Sequence, residues 1–516
     1  MFLAAPNQGK LLADPSIFDT VDPRLFTTTQ LITYKDKQWV VLPFDDMTHT
    51  LLARHDIKAP APIEHFYKWP GRFKPFKHQL ETAKFLATYD RCFCFNDIGT
   101  GKSNAALWAA DYLMSQGTHK SAIIIAPLST LERVWGDALF LDMHHRKYQI
   151  IYGSRARRLK LLEEPADFYV VNHDGLKIIK DALKQRPDIS LAIVDEFAVY
   201  RNARTQLYAS LWDTFGPDTG KSLWGLTGAP MPHGPTDLWG QARLINPNLV
   251  PRYFSRFRDE HMLKISNFKY VAKKGWEDAC YKACRPSIRF TRDECLDLPP
   301  VTFIDNQTEM SKKQQQIYDA VFNHCVANVD DSEVMALNEG VKVNKLLQIA
   351  TGAVYTSGGD TADLEPKQKL SVLIDLVDEA NRKCIVYTPF RHSIAMIYKA
   401  LKDKFSVKCV DGSVSAKHRA EIFYEFQHGD LEVLLAHPKC MAHGLTLTAS
   451  STIIWYSPID DFEIYEQANG RIIRAGQTQK QTIINLYCSD IERRVYARLR
   501  EKEKMQGVLL DLLKQR

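Results

Sequence analysis

The feature that most constrains the fold is the repeated alternation of short apolar runs with helical patterns. Between about residue 90 and residue 230 the runs are RCFCF, SAIIIAP, FYVVNHD, LAIVDE and SLWGLTGAP. A second series, from about residue 380, contains KCIVYTPF, VKCVDGS, LEVLLAHP, STIIWYSP and TIINLYCS. Continuous apolar runs of this length are typical of strands buried on both faces of a parallel sheet. The pattern therefore predicts an α/β fold with two parallel-sheet lobes in tandem.

The stretches around these series suggest a domain plan. Residues 1–70 contain a hairpin pattern, LITYKDKQWVVLPF, and are expected to form a small accessory module. Residues 71–298 are expected to form the first lobe, with a helical insertion at about 232–298. The paired prolines of LDLPPVTF predict a stiff hinge. Residues 299–516 then form the second lobe, with a helical insertion at about 308–366 and a C-terminal brace helix.

Composition limits the class of protein. The 516 residues carry a formal charge of +6, which permits a polyanionic partner without requiring one. The N-terminal residues lack the pattern of a signal peptide, and no apolar run has transmembrane length. We expect a soluble intracellular protein with no membrane partner. The basic, aromatic stretch PRYFSRFRDEHMLKISNFKYVAKKGW fits either a nucleic-acid surface or a solvated insertion whose aromatic rings pack inward.

A phosphate-binding loop is indicated by FCFNDIGTGKS, which places glycines, a lysine and a serine between a strand and a helix. Backbone N–H groups around Gly99, Thr100 and Gly101 would face an anion at the helix N-terminus. Lys102 would reach the β- and γ-phosphates of a nucleotide, and Ser103 would ligate Mg²⁺. Position 96 holds Asn rather than the Gly of the common phosphate-loop pattern.

An acid pair follows another apolar run in LAIVDEFAVYRN. The pair stands where a parallel strand would end, at the sheet edge where α/β proteins place their sites. Asp195 is expected to hold Mg²⁺, and Glu196 to orient and deprotonate the attacking water. In the second lobe QANGRIIRAGQ predicts Arg471 and Arg474 on one helix face, where they would serve as arginine fingers.

Taken in order, these motifs resemble the Swi/Snf-type DNA translocases of helicase superfamily two, over most of the chain. FKPFKHQ resembles the adenine-reading segment of that family, which implies that Gln79 reads the base edge. NDIGTGKS is similar to D-E-M-G-L-G-K-T, so Gly at position 96 is not required. APLSTLERVW resembles a backbone-contacting motif, with Ser129 as the DNA contact, and LTGAPMP implies coupling through Thr227 and Gly228.

The resemblance continues in the second lobe. VDGSVSAKHRAEIFYEFQ and MAHGLTLTAS are similar to family segments, the latter with Gly444 as the turn glycine near the nucleotide. YEQANGRIIRAGQ resembles Q-A-x-x-R-x-x-R-x-G-Q and implies that Gln467, Arg471 and Arg474 lie at the nucleotide face. Phe197 and Ala198 depart from the Ala-His of the family's acid motif. His443 stands in place of a small residue, but neither departure removes a catalytic group.

The resemblance implies two RecA-like lobes that bind ATP and Mg²⁺ and move along nucleic acid. We expect a DNA-stimulated ATPase that translocates as a monomer on duplex or branched DNA, in repair, recombination or replication. One alternative is a strand-separating or annealing helicase acting on forked DNA, and another is an RNA-directed helicase. A third, of another class, is a DNA clamp with a silent ATPase core. The compact size suggests a bacterial or viral source and a cytoplasmic or nucleoid-associated location.

Overall fold

A computed structural model describes the chain except for residues 1, 72–73, 266–269, 296–298, 325, 330–331, 336–338, 357–360, 381–382, 442–445, 475 and 516. The chain divides into two compact units. The first comprises Met1–Thr291 together with Val508–Arg516, and the second comprises Arg292–Gly507. Each unit is built around its own sheet of parallel strands.

The N-terminal module is a four-stranded antiparallel sheet in the order β1-β2-β4-β3. The predicted hairpin is confirmed, because β3 pairs with β4 and Tyr34 lies opposite Lys37. The two turn residues, Lys35 and Asp36, both have positive φ angles, which suits the right-handed twist of a tight hairpin. The strands are β1 (Phe2–Ala5), β2 (Lys10–Ala13), β3 (Gln30–Tyr34) and β4 (Lys37–Pro43).

The first unit contains a seven-stranded sheet in the order β13-β5-β10-β9-β6-β8-β7, with every paired neighbour parallel. The strands β6 and β10 are buried over their whole length, and β9 is buried at five of its seven residues, as continuous apolar runs require. A separate hairpin joins β11 to β12. The strands are β5 (Arg91–Cys94), β6 (Ser121–Ala126), β7 (Tyr148–Ile151), β8 (Phe168–Asn172), β9 (Ile189–Asp195), β10 (Ser222–Leu226), β11 (Met262–Lys264), β12 (Tyr270–Ala272) and β13 (Ser287–Ile288).

Helices connect the strands of the first unit, as parallel strands demand. The helix α4 is the next helix after β5, and its apolar residues pack into the main core with those of β6 and β9. The helices are α1 (Asp46–Arg54), α2 (Pro62–Phe66), α3 (Lys77–Thr88), α4 (Lys102–Ser115), α5 (Asp137–Asp142), α6 (Arg155–Glu163), α7 (His173–Lys184), α8 (Gln206–Phe215), α9 (Asp237–Ile245), α10 (Phe254–His261) and α11 (Trp276–Ala283).

The second unit has a six-stranded parallel sheet in the order β14-β23-β22-β19-β21-β20. Two antiparallel hairpins, β15 with β16 and β17 with β18, lie outside this sheet. The strands are β14 (Val301–Gln307), β15 (Val326–Val329), β16 (Ser332–Met335), β17 (Ala353–Tyr355), β18 (Thr361–Asp363), β19 (Cys384–Tyr387), β20 (Val407–Val410), β21 (Val433–Ala436), β22 (Thr452–Trp455) and β23 (Gln481–Tyr487).

Two apolar clusters fill the second unit around the six-stranded sheet. A buried ion pair joins α15 to the start of α19, where Lys369 Nζ donates to Glu492 at 2.6 Å. The helices are α12 (Arg292–Cys295), α13 (Lys312–His324), α14 (Glu339–Thr351), α15 (Lys367–Glu379), α16 (Arg391–Leu401), α17 (Ala416–His428), α18 (Phe462–Asn469) and α19 (Asp490–Gln515).

The predicted α/β class with two parallel sheets is confirmed, and each of the ten apolar runs named above contains a strand. Among the described strands of the two parallel sheets, three were not predicted, namely β7, β13 and β14. The β14 strand begins just after the paired prolines, in a stretch that the sequence suggested was a hinge. Among the described residues, none of the helices is both long and apolar enough to traverse a bilayer.

Candidate nucleotide site

The motifs of the first unit meet at one edge of its sheet. The phosphate loop follows β5, LTGAPMP begins at the end of β10, the acid pair ends β9, and APLSTLERVW leaves β6. In the sheet these strands stand side by side in the order β5-β10-β9-β6. Because parallel strands end at the same edge, four motifs that are distant in sequence lie in one row.

The loop between β5 and α4 has the backbone of an anion cradle. Gly99 and Gly101 have φ angles of 88° and 81°, a region that side chains disfavour. Gly101 caps the N-terminus of α4, and Lys102 and Ser103 form its first turn. Lys102 Nζ donates to the carbonyl oxygen of Asn96 at 3.1 Å. The loop therefore presents the positive end of a helix and a lysine at one place.

Two side chains of α3 donate hydrogen bonds to this loop. The carbonyl oxygen of Thr100 accepts from His78 Nε2 at 2.8 Å and from Gln79 Nε2 at 3.3 Å. Gln79 Oε1 accepts from the backbone N–H of Phe76 at 3.0 Å. A Cβ on Gly101 would lie only 2.1 Å from Gln79 Nε2, so any larger residue at this position would displace the Gln79 side chain. In the structure Gln79 thus contacts the phosphate loop itself.

Asn96 and Arg289 anchor the loop, and the sequence did not predict either role. The buried amide of Asn96 donates to Thr82 Oγ1 at 2.8 Å and accepts from the N–H of Phe290 at 2.9 Å. Arg289 forms an ion pair of 2.7 Å with Asp97 of the loop. These bonds explain why Asn at position 96 is compatible with a phosphate loop. The signals available in sequence were a polar residue directly after a buried strand and the segment RPSIRF.

The carboxyl group of Asp195 is held from both sides. Its Oδ2 accepts from the indole N–H of Trp135 at 3.1 Å, and its Oδ1 accepts from the backbone N–H of Glu196 at 3.2 Å. Burial raises the pKa of Asp195, while the nearby charge of Lys102 and the two hydrogen bonds favour ionisation. A carboxylate that is partly removed from water in this way gains stability from a bound cation.

Glu196 leaves the strand in a left-handed conformation, with φ 51° and ψ 51°. Such backbone is uncommon for a residue other than glycine and marks the sharp turn from β9. Phe197 then enters the core, where a Cβ on Gly225 of β10 would lie 2.5 Å from its ring. Ala198 is also fully buried. At the two positions that depart from the family pattern, Phe197 and Ala198, the chain therefore places buried apolar side chains and no polar group.

Thr227 and Gly228 lie between the loop and the acid pair, because β10 separates β5 from β9. The N–H of Thr227 donates to the carbonyl oxygen of Cys94 at 3.0 Å. Thr227 Oγ1 accepts from the N–H of Ala229 at 3.2 Å, which closes a tight turn. The Cα of Gly228 faces the phosphate loop, since a Cβ there would lie 3.6 Å from the carbonyl oxygen of Asn96. The turn after β10 therefore packs beside the phosphate loop.

Ser129 is exposed in a short 3₁₀ turn, Leu128–Thr130, just beyond the end of β6. A single π-helical turn, Leu131–Gly136, follows it and carries Trp135 into the core. The segment therefore has one exposed end and one end in contact with Asp195. The first is suited to contact a ligand, and the second to position the acid.

The motif residues of the second unit cluster around the end of α18. The prediction that Arg471 and Arg474 share a helix face is wrong, since α18 ends at Asn469 with Gly470 as its cap. Arg471 is buried and its Nε donates to the carbonyl oxygen of Gln467 at 2.9 Å. Arg474 is partly exposed, and its Nη1 donates to Thr446 Oγ1 at 3.2 Å.

Gln467 itself is buried on α18 and donates to Glu463 Oε1 at 3.4 Å. Gly444 and His443, which the sequence placed in the same region, lie outside the described residues.

The donor set of the first unit fits Mg²⁺. This ion prefers oxygen ligands, usually one or two protein groups together with water and substrate phosphate. The hydroxyl of Ser103 in the first turn of α4 and the half-buried carboxylate of Asp195 are oxygen donors of this type. Among the described residues there is no cluster of His, Cys, Asp or Glu that would suit a separate metal centre.

The models of two protein families match segments of the chain that contain these motifs. The SNF2-related domain matches residues 78–353, which is more than half of the chain. The chain belongs to the SNF2-related family. The helicase conserved C-terminal domain matches residues 368–476, within the second unit. Family membership makes this an ATPase of helicase superfamily two that binds nucleotide and nucleic acid.

Relatives of this SNF2-related chain differ greatly in length. Putative protein p41 of Acyrthosiphon pisum secondary endosymbiont phage 1 is 25% identical over 86% of this chain and 99% of its own. The chromatin-remodeling ATPase INO80 of Homo sapiens is 27% identical over 28% of this chain, but the match spans only 9% of that protein. The Sulfolobus solfataricus SWI2/SNF2 ATPase core in complex with dsDNA has 18% identity and a TM-score of 0.42, covering 86% of this chain and 94% of that one.

Proposed function

We propose that this protein is an ATP-dependent translocase that moves along double-stranded DNA as a monomer and remodels DNA or displaces bound proteins. The observation that carries the proposal is the row of motifs at one edge of the first sheet. There the phosphate loop, Thr227, Asp195 and Ser129 occupy successive strand ends. The row brings groups suited to phosphate beside an exposed turn suited to a nucleic-acid backbone.

The roles of the individual groups follow from their positions. Lys102 and the N–H groups of Gly99, Thr100 and Gly101 bind the phosphates of ATP. Ser103 and Asp195 would hold Mg²⁺, which supplies charge neutralisation for those phosphates when it is bound.

Glu196 orients and deprotonates the attacking water, and its position at the sharp turn after β9 supports this role. Gln79 reads the adenine edge and at the same time donates to the loop. Thr227 and Gly228 transmit movement between the loop and the acid pair.

The second unit contributes positive charge during turnover. Arg471 and Arg474 stabilise the negative charge that develops on the γ-phosphate, and Gln467 takes part in binding the nucleotide. Arg471 is buried and its Nε donates to the carbonyl oxygen of Gln467, which supports a preorganised role. Ser129 and its neighbours contact phosphates rather than bases, so movement is independent of sequence and weakens with salt.

The experiment that tests the proposal is steady-state ATP hydrolysis with no nucleic acid, single-stranded DNA, duplex DNA, forked DNA or RNA. Strong stimulation by duplex DNA is expected, and Glu196→Gln is expected to abolish hydrolysis while leaving ATP binding intact. Stimulation by forks or single strands alone would indicate a strand-separating or annealing helicase, and stimulation by RNA alone would indicate an RNA-directed enzyme. DNA binding without hydrolysis would indicate the clamp.

Displacement of a bound protein from duplex DNA separates translocation from simple hydrolysis. A streptavidin block on linear biotinylated duplex DNA should be removed by the wild-type protein with ATP and retained with Glu196→Gln. Hydrolysis that is stimulated by duplex DNA without any displacement would contradict the translocase and leave a stationary ATPase.

A further inference from the structure

A tryptophan in the core of the first unit touches the carboxylate that is expected to hold Mg²⁺. The indole N–H of Trp135 donates to Asp195 Oδ2 at 3.1 Å, and the Trp135 side chain is fully buried. The other oxygen, Oδ1, accepts from the backbone N–H of Glu196 at 3.2 Å. With one donor on each oxygen, the plane and direction of the carboxylate are determined by the protein before any ligand arrives.

The backbone that carries Trp135 is itself unusual. Leu131–Gly136 forms a π-helical turn, a rare conformation that occurs frequently at functional sites. Gly136 lies where a Cβ would be 3.2 Å from both Ile150 Cδ1 and the carbonyl oxygen of Leu131. The indole packs within the main apolar cluster of the unit, so the ring has little freedom to rotate.

We propose that Trp135 is a positioning residue for the metal site: its indole N–H orients the Asp195 carboxylate for Mg²⁺. The inference rests on the proposed function, because it assigns the metal to Asp195. Groups that hydrogen-bond to a metal ligand orient it, and their loss typically lowers metal affinity by about 10- to 100-fold. Replacing the indole by an apolar ring leaves Oδ2 without this donor.

The experiment compares Trp135→Phe with Trp224→Phe. Trp224 is a matched control, because it is also fully buried in the first unit and its indole N–H donates to the carbonyl oxygen of Tyr89 at 2.9 Å. The affinity of Mn²⁺ for the ADP-loaded full chain is measured from the electron paramagnetic resonance signal of free Mn²⁺. Trp135→Phe is expected to weaken Mn²⁺ binding about tenfold or more, and Trp224→Phe to leave it within about twofold of wild type.

Equal Mn²⁺ affinity in Trp135→Phe and wild type, or equal loss in both variants, would overturn the proposal. Thermal unfolding of each variant monitors folding. If Trp135→Phe does not fold, wild-type protein provides the second measurement. Addition of Mg²⁺ to the ADP-loaded chain should shift an indole N–H resonance among those of the nine tryptophans, and no shift in any of them would also overturn the proposal.

The metal measurement requires neither turnover nor nucleic acid. A wild-type protein that binds Mn²⁺ with ADP but hydrolyses no ATP would contradict the proposed function, while the comparison of the two tryptophan variants would still decide the role of Trp135. Conversely, a DNA-stimulated ATPase whose Trp135→Phe variant retains full Mn²⁺ affinity would contradict only the positioning role.

Discussion

Replacing Gly101 by alanine tests how closely the phosphate loop depends on its support from α3. Two separate costs apply at this position. Gly101 has a φ angle of 81°, where an L-residue is strained, and its added Cβ would lie 2.1 Å from Gln79 Nε2. Since no such contact is tolerated, Gln79 must move away and lose its hydrogen bond to the carbonyl oxygen of Thr100.

The magnitude follows from these two costs. Left-handed backbone costs alanine about 1–2 kcal/mol. A lost hydrogen bond adds about 1 kcal/mol, and displacement of the Gln79 side chain weakens its second bond, to the N–H of Phe76. Gly117 provides the matched control, because its φ is 77° and an added Cβ would meet no heavy atom within 4 Å. Gly101→Ala should therefore be about 1–2 kcal/mol less stable than Gly117→Ala.

Thermal unfolding and ATP binding measure the effect. In a unit of this size 1 kcal/mol corresponds to about 2 °C, so the melting temperature of Gly101→Ala should lie about 2–4 °C below that of Gly117→Ala. ATP affinity should fall about tenfold in Gly101→Ala, since a distortion of about 1.4 kcal/mol is borne by the loop that binds phosphate. Gly117→Ala, at the far end of α4, should bind ATP as wild type does.

The double variant Gln79→Ala/Gly101→Ala decides whether the contact is responsible. Removal of the Gln79 side chain eliminates the clash, so adding Gly101→Ala to Gln79→Ala should cost no more than Gly117→Ala costs the wild type. The two substitutions are thus expected to be non-additive by about 1 kcal/mol. Strict additivity, or equal melting temperatures for Gly101→Ala and Gly117→Ala, would refute the reasoning.

Three further predictions concern ionisable groups that are half-buried or buried. Asp195→Asn should stabilise the protein without ligand and abolish ATP hydrolysis. Because burial raises the pKa of Asp195, the wild-type protein loses stability as pH rises through this raised pKa. The gain in melting temperature from Asp195→Asn should therefore be smallest near pH 4 and largest at neutral pH. Burial lowers the pKa of His392 to about 4, so wild type should lose stability as pH falls from 6.5 towards 4, and His392→Gln should show a smaller loss in thermal scans across this range. Glu492→Gln should lower the free energy of unfolding, measured by urea denaturation, by about 3–5 kcal/mol, because it leaves the buried Lys369 without its counter-charge. The control Arg493→Gln breaks an exposed ion pair and should change the free energy of unfolding by less than about 1 kcal/mol.

Much of the fold was predictable because it depends on local pattern. The apolar runs from RCFCF to TIINLYCS each contain a strand of one of the two parallel sheets. A strand buried on both faces must be apolar at every position, so the sequence shows it directly. The missed strands lack this signal. The two residues of β13 are too few to form a run, and β14 is largely exposed and begins beside two prolines.

The candidate site divides in the same way. The places of Lys102, Ser103, Asp195 and Glu196 were predictable, because each lies at or after the end of a recognisable strand. Their roles in catalysis and in metal binding stay predictions. The helix expected to hold Arg471 and Arg474 was not found, since it ends at Asn469 and Gly470 caps it. Periodicity suggests a shared face but does not show where the helix stops.

The sequence by itself determined which groups are available for phosphate chemistry and the order in which the chain supplies them. Only the tertiary structure decided what holds those groups in place. Trp135 contacts Asp195, and Arg289 pairs with Asp97, across gaps of 60 and 192 residues. Such contacts depend on which strands are neighbours in the sheet and on how each connection returns to it. The spacing of residues along the chain carries no record of that arrangement, because packing of the whole core selects it.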